Sequence, residues 1–162
     1  MNYSFLSAIA LFFSFLACSP AQHGRVTATL EEVAGYVSER PDSALTVLQA
    51  IDSTRLTTRS LRAKYSLLLV MALDKSYKDI SASGLLDPAV DFYSRHGSPD
   101  EKLKLLYYEG RILQHKSDLK GAAIAYSQAE NYVDDATDTH AVALLYDAFG
   151  AGFYSEVQRF EA

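Results

Sequence analysis

Four histidines and one cysteine are the residues of this 162-residue chain best suited to metal binding or nucleophilic chemistry. A zinc site of the HExxH kind needs two histidines one helical turn apart, so that both reach one ion. His23, His96, His115 and His140 are scattered and no two share that spacing, so each reads as a turn or surface residue. Asp134, Asp135 and Asp138 have the carboxylate density of a calcium loop. They lack the glycine that makes its sharp turn and the closing bidentate Glu, and read as a solvated connector. There is no Gly-rich phosphate cradle and no GxSxG elbow. Cys18, the single thiol, allows no intrachain disulfide, so packing alone must hold the fold. The expectation is a non-enzymatic chain with no cofactor and no metal.

Charge points away from nucleic acid as well. Fifteen basic residues are dispersed among twenty acidic ones, for a net charge of −5. Phosphate contacts need Lys and Arg gathered in one patch, and the sequence gathers none. With 49 % hydrophobic and 22 % charged residues, the chain has the composition of a folded domain.

Phe5 to Ala17 is an uncharged apolar run, too short for a membrane-spanning helix of about 20 residues. Its length suits the h-region of an export signal, about 7–15 residues. Phe15-Leu16-Ala17-Cys18 follows, and it resembles a bacterial lipoprotein signal, in which a small residue precedes the cysteine that is acylated and becomes the new N-terminus. The division expected is a signal over 1–17, lipidation at Cys18, a tether over 18–26 and a folded region over 27–162. A doubly acylated anchor attaches stably, because each buried CH₂ contributes about 0.8 kcal/mol.

The elements beyond the tether all carry helical periodicity. Thr27 or Thr29 opens a helix reaching Arg40, with Leu30, Val33, Tyr36 and Val37 on one face. Asp42 is the expected N-cap of a second, faced by Ala44, Leu45, Leu48 and Ile51. From Thr58, LRAKYSLLLVMALDKSY is apolar nearly all round and should be the most enclosed helix. Leu85 to His96 follows, stopped by Gly97 as a C′ residue at positive φ. Ser98-Pro99-Asp100-Glu101 spells a capping box with proline at N1. It opens the central hairpin, whose second helix is capped by Asp118. Ala141 to Ser155 is the last.

In that hairpin, Leu106, Gly110 and Leu113 share one face of the first helix, and Ala122, Ala125, Tyr126 and Ala129 one face of the second. Small residues stand where the helices must approach, with a tyrosine to fill the gap beyond. The unit is about 34 residues long, the period of a stacked helical repeat. Gly110, Ala122, Tyr126 and Ala129 resemble key positions of a tetratricopeptide repeat, and Gly150 and Phe153 resemble those of a following one. The chain as a whole is similar to tetratricopeptide-containing lipoproteins of Bacteroidetes-type bacteria.

The resemblance implies an all-α, α-solenoid fold of about seven helices in stacked pairs, the last pair incomplete. It implies a groove lined by the first helix of each pair and holding a protein or peptide. On those helices Lys104, Tyr107, Arg111, Gln114, His115, Asp147 and Tyr154 would face the partner. Tyr and Arg are the residues that most often dominate such contacts. The functional expectation is a lipid-anchored scaffold in the bacterial cell envelope, facing the periplasm. The alternative is the sensory front of a longer membrane-bound transcriptional regulator, with membrane-spanning and DNA-binding parts beyond Ala162. Tyr146, Phe149 and Phe153 near an uncovered end also suggest self-association there.

Overall fold

The computed structural model describes residues 20–82 and 84–160, with side chains over 24–82 and 84–150. The signal over 1–17 and Cys18 therefore lie outside the described residues, as do Ala162 and the side chains of Phe153 and Tyr154. The architecture is all-helical, with no strand among the described residues. The helices are α1 (Pro20–Tyr36), α2 (Pro41–Gln49), α3 (Arg59–Lys75), α4 (Asp87–His96), α5 (Pro99–His115), α6 (Leu119–Glu130) and α7 (Thr139–Phe160).

Local chemistry sets most boundaries. Ser98 Oγ accepts from the Glu101 N–H, and the Glu101 carboxylate accepts from the Ser98 N–H, closing the capping box of α5. Thr58 caps α3 through the Leu61 N–H, Asp118 caps α6 through Gly121, and Asp138 caps α7 through Ala141.

Several boundaries differ from expectation. Helix α1 ends at Tyr36 rather than Arg40, α4 begins at Asp87 rather than Leu85, and α7 runs Thr139–Phe160 rather than from Ala141 to Ser155. Three more differ as well. First, α1 already includes residues 20–26, inside the segment read as a tether. Second, α2 takes Arg40 as its flanking residue, with Pro41 and Asp42 in the first turn. Asp42 makes no capping bond and instead sets a negative charge by the positive end of the helix dipole. Third, Gly97 has φ −72°, so left-handed freedom is not its role. A Cβ there would lie 2.7 Å from the Tyr93 carbonyl oxygen, so the site demands the smallest residue for close approach.

The left-handed turn falls instead at Tyr77 (φ 55°) and Ser117 (φ 62°). Each ends its helix with the same pair of bonds. Lys78 N–H reaches the Leu73 carbonyl and Tyr77 N–H that of Asp74; Asp118 N–H reaches Leu113 and Ser117 N–H reaches Gln114. That is the Schellman arrangement, repeated at the ends of α3 and α5.

Every helix packs against its neighbour in sequence, and α1 on α3, α3 on α5 and α5 on α7 pack in addition. Helices α2, α4 and α6 make no such contacts with one another among the described residues. The odd helices therefore form one continuous layer and the even helices stand outside it. The core follows that layer through Leu30, Val33, Val70, Leu103, Tyr108 and Leu145, all 1 % exposed or less. Helix α3 is the most enclosed, with Leu61, Ala63, Leu67, Leu68, Val70, Met71 and Ala72 buried.

The tightest junction joins α5 to α6. At Gly110 a Cβ would stand 2.7–2.8 Å from ring atoms of Tyr126, so only hydrogen fits. Ala122, Ala125 and Ala129 are all buried on the facing side. Gly150 is exposed, and a Cβ there would meet nothing within 4 Å.

Candidate functional site

Parallel odd helices bring residues one structural period apart into contact, and the polar face of α5 is built that way. Asp74 lies in the last turns of α3 with 7 % of its side chain exposed. Taking a carboxylate that far out of water is costly unless a cation and hydrogen bonds satisfy it. Arg111 supplies both: Nε donates at 3.0 and 3.2 Å to the two Asp74 oxygens, and a terminal nitrogen donates at 2.8 Å. This forked pairing holds the guanidinium proton more firmly than usual, against the effect of burial.

The pair anchors a wider network. The other terminal nitrogen of Arg111 donates to Gln114 Oε1 at 3.1 Å, and the Tyr126 hydroxyl donates to the same oxygen at 2.8 Å. His115 sits 3.6 Å from Asp74 and 3.7 Å from Asp79, between the end of α3 and its connector. The ring of Tyr107 lies 5.8 Å from that of Tyr126, which in turn meets Phe149 of α7 edge-on at 6.2 Å. Burial pushes the phenols of Tyr107 and Tyr126 upward, so both stay neutral hydrogen-bond donors at physiological pH.

One period along, Asp100 at the start of α5 accepts from the Thr137 N–H, the Thr137 hydroxyl and the Asp138 N–H. Burial raises its carboxyl, but the Thr137 and Asp138 bonds and Lys104 outweigh that and hold it below the ordinary range. Lys104 is itself paired with Asp138.

The predicted partner-facing residues are therefore largely engaged within the chain. Tyr107 is 8 % exposed, Arg111 is committed to Asp74, Gln114 to Arg111 and Tyr126, and Lys104 to Asp138. His115 is partly exposed and Asp147 is exposed. Tyr154 lies beyond the described side chains. The structure joins five of the seven, Lys104 through His115, on one face of α5, and it adds Asp74, Asp79 and Asp100, to which the sequence assigned no such role. Asp138, read there as part of a solvated connector, instead caps α7 and pairs with Lys104. A signal for Asp74 was available: a lone carboxylate in an otherwise apolar helix requires a cation from elsewhere.

A small cavity of about 50 Å³ lies beside this network, lined by Ala34, Met71, Tyr108, Asp138, His140 and Leu144 among others. It is large enough for a water or two and no cofactor. Among the described residues, no group of three or more His, Cys, Asp or Glu is placed to hold a metal ion, and no helix is long and apolar enough to cross a membrane. The class that fold and site define is an all-helical protein with a polar, internally bonded face on its odd-helix layer. No protein-family model, curated protein or solved structure matches the chain.

Proposed function

We propose that this chain is a non-catalytic protein-binding scaffold, built as an α-solenoid of tetratricopeptide-like helix pairs and held at the bacterial cell envelope by lipid on Cys18. Its groove is the face of α1, α3, α5 and α7, and its ligand is a protein segment or peptide.

One observation carries the reading: α3, α5 and the start of α7 meet in sequence at a similar offset. Asp74–Arg111 joins α3 to α5 and Asp100–Thr137 joins α5 to the start of α7, each across 37 residues. Glu31–Lys64 joins α1 to α3 at a somewhat shorter separation, and recurring contacts of this kind between every second helix are what stacked pairs produce. The close α5–α6 packing at Gly110 and Tyr126, and the matching ends of α3 and α5, support the same unit. In this arrangement the Asp74–Arg111 network stiffens the wall, and the exposed side chains of Asp147 and His115 are the ones that meet a partner. Preorganising that wall lowers the ordering cost of association.

Site-specific photo-crosslinking tests the groove. A crosslinker at Asp147 or His115 should capture a defined partner from envelope preparations, and one at Ile124, exposed on the outer helix α6, should not. Equal capture from both faces, or from neither, removes the groove. Cys18→Ala should release the protein from the membrane fraction, and retention there removes the anchor.

A further inference from the structure

The end of the array where α3, α5 and α7 begin carries opposite charges side by side. At the start of α3 and the end of α4, a surface cleft of about 450 Å³ is lined by Arg59, Arg62 and Arg95, with Phe92 and Pro88 as its apolar part. Arg59 and Arg95 form no salt bridge with any described residue, and Arg62 spends only one terminal nitrogen, on the Leu56 carbonyl. Asp87 and Asp91 also line the cleft, but toward the first turns of α4, with the Asp87 carboxylate against the Gly84 turn. The arginines come from the first turns of α3 and the last turn of α4.

One hairpin further on, at the same end, the last residue of α6, Glu130, and the connector residues Asp134 and Asp135 are exposed, none of them in a salt bridge with a described residue. That this connector lies at the same end follows from α5: Asp100 in its first turn holds Thr137 and Asp138, and Ser98 before it joins it to the last turn of α4.

A cleft with three guanidiniums against two carboxylates and a turn that carries only carboxylates form a self-complementary pattern on one surface. A two-fold axis between them lays the cleft of each copy on the turn of the other, forming the same contact twice. We propose that this end is a dimer interface in which the acidic turn around Asp134 and Asp135 of a second copy enters the Arg59–Arg62–Arg95 cleft. Forked guanidinium–carboxylate bonds are the chemistry of recognition, and Phe92 packs against the apolar part of the turn. This surface is separate from the groove proposed above, so either can fail without the other.

Because the pairing is electrostatic and solvent-exposed, it weakens as salt shortens the Debye length below about 10 Å. Sedimentation equilibrium of the full chain should show a dimer at about 20 mM salt whose dissociation constant rises at least tenfold at about 500 mM. Two charge-reversed variants, Arg59→Glu with Arg95→Glu and Asp134→Lys with Asp135→Lys, should each be weakened about tenfold or more. Mixed in equal amounts, they should form a heterodimer, because both contacts are again of opposite sign. Circular dichroism spectra and unfolding midpoints matching the parent's establish that each variant is folded, so that a failed rescue speaks against the contact itself. A monomer at every concentration, variants that self-associate like the parent, or a mixture that stays monomeric overturns the proposal. So does association that strengthens with salt, which the apolar run over 5–17 would produce. An arginine-dependent complex of the monomer with the separate peptide of residues 130–138, without dimerisation, overturns it too and gives the cleft a different occupant.

Discussion

Replacing Gly110 by alanine separates two contributions that normally act together. By helix propensity alone, alanine in the interior of α5 should stabilise the protein by about 1 kcal/mol. Packing opposes it. The added methyl would lie 2.7 and 2.8 Å from ring carbons of Tyr126, a separation real side chains do not hold. The ring has little room to retreat. Its hydroxyl is bonded to Gln114 at 2.8 Å, and its faces and edge meet Tyr107 and Phe149. Forcing one extra carbon into such a site costs about 1–3 kcal/mol, and the pinned ring argues for the upper end. The expected net is a loss of about 2 kcal/mol, seen as a midpoint lowered by about 4–8 °C in a chain of this length.

Thermal and urea unfolding followed by circular dichroism would measure it. Gly35→Ala is the matched control, because a Cβ in that exposed position of α1 meets nothing within 4 Å and only the propensity gain remains. The two substitutions should move stability in opposite directions. In a Tyr126→Leu background the cost of Gly110→Ala should shrink by 1 kcal/mol or more, about the size expected for residues in contact. If Gly110→Ala is as stable as the parent, or the Tyr126 background leaves its cost unchanged, the close packing of α5 on α6 is not what holds the pair.

Four further outcomes follow from single side chains. Arg111→Met should cost about 2–3 kcal/mol, below the full value for a buried pair because Arg111 is one-third exposed, and a cycle with Asp74→Leu should recover much of it; a coupling under about 0.5 kcal/mol would mean that the pair is solvated. Ser117→Gly should stabilise by about 1 kcal/mol, as glycine holds φ 62° without strain, and no gain in urea midpoint would count against the turn geometry. Tyr108→Phe should be neutral or stabilising in the same measurement, since its buried hydroxyl has no hydrogen-bond partner among the described residues. Asp100 titrates below its unfolded value of 3.8, so the stability it adds is present above about pH 4 and lost as pH falls through the lowered native value; in acid titrations Asp100→Asn should flatten that part of the curve.

What could be read from the sequence was what neighbours along the chain decide. The Ser98–Glu101 box, the Asp118 cap and the enclosure of α3 each depend on residues a few positions apart. Gly110 and Tyr126 were legible for a related reason: a glycine and alanines at helical spacing mark where two helices must approach. The Asp74–Arg111 pair was not legible, because its partners are 37 residues apart and periodicity gives the phase of a helix without saying which helix meets each face. Lys104, Tyr107, Arg111 and Gln114 lie opposite an apolar stripe, which normally means solvent. Here the neighbouring members of the odd-helix layer meet those residues, α3 through Asp74 and the start of α7 through Asp138. Gly97 misled for the opposite reason, being small for close approach rather than for a positive φ.

The distribution of polar bonds has a consequence for how such a layer is held together. Sequence neighbours such as α5 and α6 are joined by a short connector and bury small residues tightly, so the Tyr126–Gln114 bond between them is not needed to choose a register. The odd helices are separated by a whole unit, and apolar packing alone would allow one to slide along another by a turn. Asp74–Arg111 and Asp100–Thr137 sit where such sliding would leave a buried or half-buried carboxylate unpaired. That penalty falls on every register but one. Exchanging both members of the Asp74–Arg111 pair for apolar residues could therefore preserve or raise stability, yet it should broaden the amide resonances of α3 and α5 in NMR spectra. Spectra as sharp as those of the parent would mean that register is set by packing, and the polar face would then lose its structural role.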